Sequence, residues 1–232
     1  MSGSPYFGLI VLALVVGVVA AGITAIIRYV KRMEAERKQL RMDQGFVESP
    51  ESLEPLTERM RTVHMRWSSN HEVRAPWRKS DWGYELYLFD LRSGSGKSSK
   101  LERDQAMVVS KDLAAPRFSI MPKAPGEGVM ASLANRAIAW VASKFASQAA
   151  FPEDPSFDAK YFVFGDTEAA LRQYFDSRRR GHLVGIENLQ ASGGGDAFVF
   201  SKTPQRPVKK PDQEKLQDLL QDARTLFEIF KS

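Results

Sequence analysis

The 232-residue sequence has no cysteine. That excludes disulfides, thiolate nucleophiles and Cys-based zinc sites outright. Histidine is nearly as scarce: there are three, His64, His71 and His182, and none sits in a zincin-type pattern. The expectation is for solvent-facing or structural rings, with no metal and no cofactor. Basic charge is missing from most of the chain. The net charge is +5, yet residues 28–42 carry +4 of it, through Arg28, Lys31, Arg32, Arg37, Lys38 and Arg41 against Glu34 and Glu36. The remainder is close to neutral and lacks the basic excess that a groove for DNA or RNA requires, so no nucleic-acid partner is expected. The aromatic residues fall on core faces and do not interleave with basic ones as a single-strand binder needs.

Charge of either sign is absent from Phe7 to Ile27, FGLIVLALVVGVVAAGITAII. At about 1.5 Å per residue this run spans roughly 30 Å as a helix, the thickness of a bilayer core. Met1–Tyr6 has no basic residue and the apolar run is too long for a secretory signal, so the reading is an uncleaved anchor. Residues 1–6 become an extracytoplasmic tail and 7–27 a transmembrane helix. The basic excess on the C-terminal side puts the N-terminus outside and the main domain in the cytoplasm, at the cell (inner) membrane. The bilayer is then one partner, with Arg28, Lys31, Arg32, Arg37, Lys38 and Arg41 as candidate headgroup contacts. Ala13, Gly17, Ala21 and Ala25 recur every four residues, a spacing that lets membrane helices pack closely. Eight of the 21 residues are Gly, Ala or Thr, so such a row also arises by chance, and homo-oligomerisation stays open.

Residues 28–44 are rich in helix formers and continue the helix; Gly45–Pro55 reads as a linker, making 28–55 a juxtamembrane helix and linker. Residues 56–150 form a first α+β unit. It has a short helix over Leu56–Trp67, no regular element over 68–83, and strands at Tyr84–Leu91 (aromatic and apolar on both faces, hence central), Gln105–Ser110 and Arg117–Met121. From Val129 to Phe145 the spacing turns helical, and Val129, Leu133, Ala137 and Val141 with Met130, Ile138 and Phe145 predict one buried stripe. Residues 151–232 form a second unit. Its strand Lys160–Phe164 leads to a helix starting at Thr167 and Glu168, then a strand over Ile186–Ala191. Ser192–Asp196 predicts a tight turn before Ala197–Ser201. A last helix carries Leu216, Leu219, Leu220, Ala223, Leu226, Phe227 and Phe230 on one face. Two joins are hairpins, so the fold class is α+β, with mainly antiparallel sheet(s) and packed amphipathic helices.

Gly94–Ser98, GSGKS, is the most tempting chemical motif. A P-loop needs a first glycine where Leu91 stands, and a helix after the loop. The residues that follow lead into a strand, so a hairpin loop is expected. Ser95, Ser98 and Ser99 lack a nucleophile-elbow pattern. Asp90, Asp166 and Asp196 sit at strand ends or turns, where capping is the ordinary role. No catalytic residue stands out. Arg178, Arg179 and Arg180 read as a helix C-terminus closed by Gly181, or else as a contact for anionic lipid or an acidic partner.

ELYLFDLRSGSGKSSK with QAMVVS, PRFSIMPK before a helix, KYFVFGDTEAALRQYF and AFVFSK set an order of elements over Tyr84–Ser232. It resembles a group of uncharacterised bacterial proteins with an N-terminal membrane helix and a cytosolic α+β domain. The resemblance implies an architecture and brings no ligand or catalytic residue. The sequence thus points to a single-pass anchored protein whose domain is a non-enzymatic interaction or scaffold module with a protein partner. The alternative is a membrane-surface enzyme with an unidentified carboxylate or serine site.

Overall fold

The structure is a computed structural model. It describes residues 5–64, 70–81, 83–94, 99–124, 132–133, 135–137, 140, 146–202 and 213–231, with the side chains of 5–15, 103 and 202 outside the description. The chain divides into two compact units: Met1–Gly45 with Val208–Gln213, and Phe46–Pro207 with Glu214–Ser232.

The first unit is built on one helix, α1, Pro5–Asp43, 39 residues without a break. No proline interrupts it after Pro5, which sits at the first position, where proline is tolerated. Gly45, at φ 81°, ends the segment in the left-handed region that suits glycine.

The second unit is organised by a nine-stranded sheet. The strands are β1 Val47–Glu48, β2 Glu72–Asp81, β3 Tyr84–Ser93, β4 Lys100–Val109, β5 Ala115–Pro122, β6 Ser147–Ala149, β7 Tyr161–Gly165, β8 Leu189–Gly195 and β9 Ala197–Lys202. Their order is β1-β2-β3-β4-β9-β8-β5-β7-β6, and every pairing is antiparallel. Strands from 56–150 and from 151–232 interleave: β4 pairs with β9, and β5 lies between β8 and β7. The helices of this unit are α2 Leu53–Val63, α4 Pro155–Lys160, α5 Glu168–Tyr174, α6 Ser177–Val184 and α7 Gln213–Phe230. Residues 132–133, 135–137 and 140 are also helical and are termed α3. The fold is α+β with a mainly antiparallel sheet and packed helices.

Alternation along the strands decides which helices cover which face. Leu86 and Leu88 of β3 point to one face and join the larger core, where Phe118, Phe157, Tyr161, Phe175, Leu226 and Phe230 are buried. Tyr87, Phe89 and Leu91 point to the other face, where Leu56, Met60 and Val63 of α2 pack on them. Both faces of β3 are therefore dry, as its two-sided apolar pattern predicts. The last helix docks through Ala223, Leu226, Phe227, Ile229 and Phe230.

Three expectations are corrected for physical reasons. Residues 72–81 are a strand because Pro76 sits at a bulge. The register with β3 shifts between Arg74 and Trp77, Ala75 takes φ 46°, and the Pro76 carbonyl accepts from the Ser49 N–H at 2.9 Å. A bulge tolerates a residue without an N–H. The tight turn expected over Ser192–Asp196 closes the β8–β9 hairpin but is confined to Gly195 and Asp196, with Gly194 opposite Ala197 and Gly195 at φ 63°. The glycines of the stretch lie in β8, and a Cβ on Gly193 would meet the Phe118 ring at 2.5 and 2.8 Å. The predicted buried stripe of Val129–Phe145 does not hold at its described positions: Leu133 is 53% exposed and Ala137 is exposed. The other residues of that stripe lie outside the described residues.

Candidate membrane-proximal site

On α1, the exposed stretch from Val16 to Ile27 is followed at once by charge. Val16, Val18, Val19, Ile23, Ile26 and Ile27 are all exposed. At about 100° per residue, Arg28, Lys31 and Arg32 share one side of the helix, Lys38 falls within about 20° of Lys31, and Arg37 and Arg41 fall on the opposite side. Arg28, Lys31, Arg32 and Lys38 are exposed and Arg37 is half-buried. Arg41 is buried, so its charge does not face solvent. Arg32 donates to Glu36 at 2.8 Å, an exposed pair one helical turn apart, worth a few tenths of a kcal/mol.

Gly17, Ala21 and Ala25 are exposed, and a Cβ built on Gly17 meets nothing within 4 Å. The side chain of Ala13, first of the four-residue row, lies outside the described residues. Among the described residues no helix is long and apolar enough to cross a membrane; the side chains of Phe7 to Val15, which open the apolar run, are outside them.

The arginine run of the second unit has a different role from the one its sequence suggests. The helix from Thr167 breaks at Phe175, and Asp176 caps a new one, its carboxylate accepting from the Arg179 N–H at 2.8 Å. Arg178–Arg180 thus lie in a first turn, and Gly181 is inside α6. Arg179 donates to the carbonyls of Tyr174 at 2.9 Å, Ile229 at 3.1 Å and Lys231 at 3.2 Å, and its guanidinium lies over the Tyr174 ring at 4.5 Å. It closes the C-terminal end of α7, whose last carbonyls have no partner within the helix. Arg180 is buried, paired with Asp154 at 3.2 Å and Glu153 at 3.4 Å. These two side chains hold helices together, and Arg178 is the exposed member of the run.

The remaining candidates resolve into structural contacts. Gly94 ends β3 at φ 84°, and the partner strand resumes with Ser93 opposite Lys100. The GSGKS motif therefore joins two antiparallel strands and has no helix after it; Ser95–Ser98 themselves lie outside the described residues. Asp90 accepts from the backbone N–H of Asp104 at 3.2 Å, where β4 bulges with Asp104 at φ 55°. Asp196 pairs with Arg59 at 3.2 Å, and Asp166 is exposed. The rings of His64 and His71 lie 5.3 Å apart. Among the described residues no group of three or more metal-ligating side chains converges.

No family model matches the sequence, and no curated protein matches it. Among solved structures, the chain is similar to the crystal structure of the mycobacterial trehalose monomycolate transport factor A, TtfA. The match has a TM-score of 0.54 at 12% sequence identity and covers 85% of this chain and 93% of that chain. At that identity the likeness shows the fold alone. It does so over nearly the whole of both chains.

The core that carries this fold has a titration of its own. Burial, then the Asp81 charge, pushes the Tyr84 phenol up to about 12; burial, then the Glu187 charge, pushes Tyr161 up to about 12. Tyr174 is raised by burial as well, against the opposing charge of Arg179. Tyr161 donates to the carbonyls of Leu183 and Ile186, and Tyr174 to that of Phe230 at 3.1 Å. Phenolates cannot make these bonds. In the unfolded chain a phenol ionises near 10. The folded values are higher, so the contribution to stability is complete below about pH 10 and is lost as pH rises through about 12. Absorbance at 295 nm and circular dichroism should therefore change together between those values. Ionisation of Tyr84, Tyr161 and Tyr174 near pH 10 with the fold intact would count against it.

Proposed function

We propose that this chain is a single-pass, membrane-tethered, non-enzymatic interaction subunit, with its α+β domain on the cytoplasmic side, that serves glycolipid transport by engaging a protein partner. One observation carries the reading: α1 runs unbroken from an apolar stretch with exposed side chains into an exposed basic turn. Arg28, Lys31 and Arg32, with Lys38 beyond, are the headgroup contacts, each adding about 1 kcal/mol at an anionic surface. The assignment to transport comes from the similar structure, that of a mycobacterial trehalose monomycolate transport factor.

The lack of cysteine makes the topology directly measurable. In intact cells, a membrane-impermeant maleimide is expected to label Ser2→Cys, and to label Ser232→Cys only after permeabilisation. The full chain should stay in the membrane pellet after alkaline carbonate. Labelling of both positions without permeabilisation, or release by carbonate, would overturn the reading.

A further inference from the structure

Arg74, Arg78 and Arg92 of the sheet each pair with a carboxylate. Arg117 of β5 pairs with none among the described residues. It is half-buried and lies on the face that α2 covers, because its neighbours Phe118 and Ile120 turn into the larger core. Nη2 donates to the His64 carbonyl at 3.3 Å, at the end of α2. Of the guanidinium nitrogens only Nε is sealed from solvent without a partner, so Nη1, which donates to no described group, faces water. Asp196, just past the end of β8, is held instead by Arg59 at 3.2 Å. Closing a helix end uses one donor and a cation, which a lysine supplies. A planar fork of five donors is more than that role needs.

The backbone sets this side chain apart. β5 and β8 lose register between Ala115 and Phe118, so Pro116 and Arg117 together oppose Gly194. Such a bulge re-aims a side chain. A Cβ on Gly194 would stand 3.6 Å from the Arg117 Cα and 3.7 Å from the Thr62 carbonyl, so the glycine leaves bare the space beside the arginine. Two residues on, Ser119 occupies the same face opposite Ser192, and their hydroxyls meet at 3.1 Å. Two hydroxyls in one contact use one hydrogen, and the second is left to donate elsewhere. Same-face neighbours on a strand stand about 7 Å apart, near enough for one small ligand to touch both. A guanidinium fork matches phosphate oxygens, and a hydroxyl donating from a second direction suits a tetrahedral oxyanion better than a planar carboxylate. We propose that Arg117 and the Ser119–Ser192 pair bind a phosphate-type oxyanion. The site belongs to the sheet and α2, and stands whether or not α1 enters a bilayer. A soluble phosphate monoester and an acidic lipid headgroup offer it the same group.

The test titrates the full chain in neutral detergent, at constant ionic strength, followed by calorimetry. The probes are inorganic phosphate, glycerol phosphate, soluble dihexanoyl phosphatidic acid, and acetate. Saturable binding of the phosphates is expected, about tenfold or more tighter than of acetate. Arg117→Gln should abolish it and Ser119→Ala should weaken it several-fold. Arg117→Lys retains a donor for the His64 carbonyl, and so the fold, yet should bind about tenfold more weakly. Arg178→Gln, on the exposed arginine of α6, should bind as the parent does. Tighter binding of the phosphatidic acid than of glycerol phosphate would assign the ligand to a lipid headgroup, and equal binding to a soluble monoester. No saturable binding, acetate bound as tightly as phosphate, or affinity unchanged in Arg117→Lys and Arg117→Gln would each overturn the proposal.

Discussion

Replacing Arg180 with alanine is expected to destabilise the α+β domain by about 3–5 kcal/mol, the usual cost of breaking a buried ion pair from one side. The guanidinium is 8% exposed and has four partners. Nε reaches Asp154 at 3.2 Å, Nη2 reaches Glu153 at 3.4 Å, Nη1 donates to the Phe175 carbonyl at 2.7 Å, and the group lies over the Phe151 ring at 4.9 Å. Asp154 also caps α4, accepting from the Phe157 N–H at 3.2 Å. One side chain thus ties the start of α4, the end of α5 and the body of α6. Its loss leaves a half-buried carboxylate without its counter-charge and a carbonyl at a helix end without a donor. Against a typical total of about 5–15 kcal/mol, that is a large fraction. Urea midpoints measure it. Arg180→Lys should recover little, because an ammonium cannot fork between Asp154 and the Phe175 carbonyl. The exposed neighbour serves as comparison, and Arg178→Ala should stay within about 0.5 kcal/mol of the parent. Equal midpoints for Arg178→Ala and Arg180→Ala would refute the assignment.

That role was only half legible in the sequence. Three consecutive arginines announce charge, but their partners at residues 229–231 and 153–154 are distant, and only the fold brings them near. The helix break did leave a local trace. Asp176 is a favoured N-cap residue, hidden inside a run of helix formers. Features set by local periodicity came through: the two-faced burial of β3, the Thr167 cap, the apolar face of α7. Features set by distant contacts did not. β2 was lost because Pro76 looks like a breaker until a bulge accommodates it. The sheet was divided into two stretches because nothing local says that β4 pairs with β9, nearly a hundred residues on. The apolar run over 129–145 suggested burial because periodicity reports which residues share a face, not what covers that face. On α1 the sequence placed the basic residues but could not show that Arg41 is buried while Arg28, Lys31 and Arg32 are exposed.

The glycines of β8 are the clearest case of a distant cause, and they support the second large effect. Phe118 of β5 is fully buried and stands opposite Gly193 on one neighbouring strand and Gly165 on the other. Its ring lies over Gly193 and packs against Phe175, Phe230 and Tyr174 at centroid distances of 5.1, 5.3 and 5.7 Å. Phe118→Ala should cost about 3–5 kcal/mol, the loss of a buried ring plus the cavity left among three aromatic groups. Gly193→Ala should cost about 1–3 kcal/mol for the opposite reason, since the new methyl meets the ring below any real contact distance and the ring is wedged on its other sides. The two effects should not add. In the Phe118→Ala background the methyl at position 193 enters the space the ring has left, so the glycine substitution should become neutral or stabilising. Unfolding midpoints of the four proteins give the coupling directly, and it should reach about 1–3 kcal/mol in favour of the double variant. Simple additivity would mean that Gly193 is kept for its backbone freedom, and that the ring of Phe118 is not what excludes a side chain there.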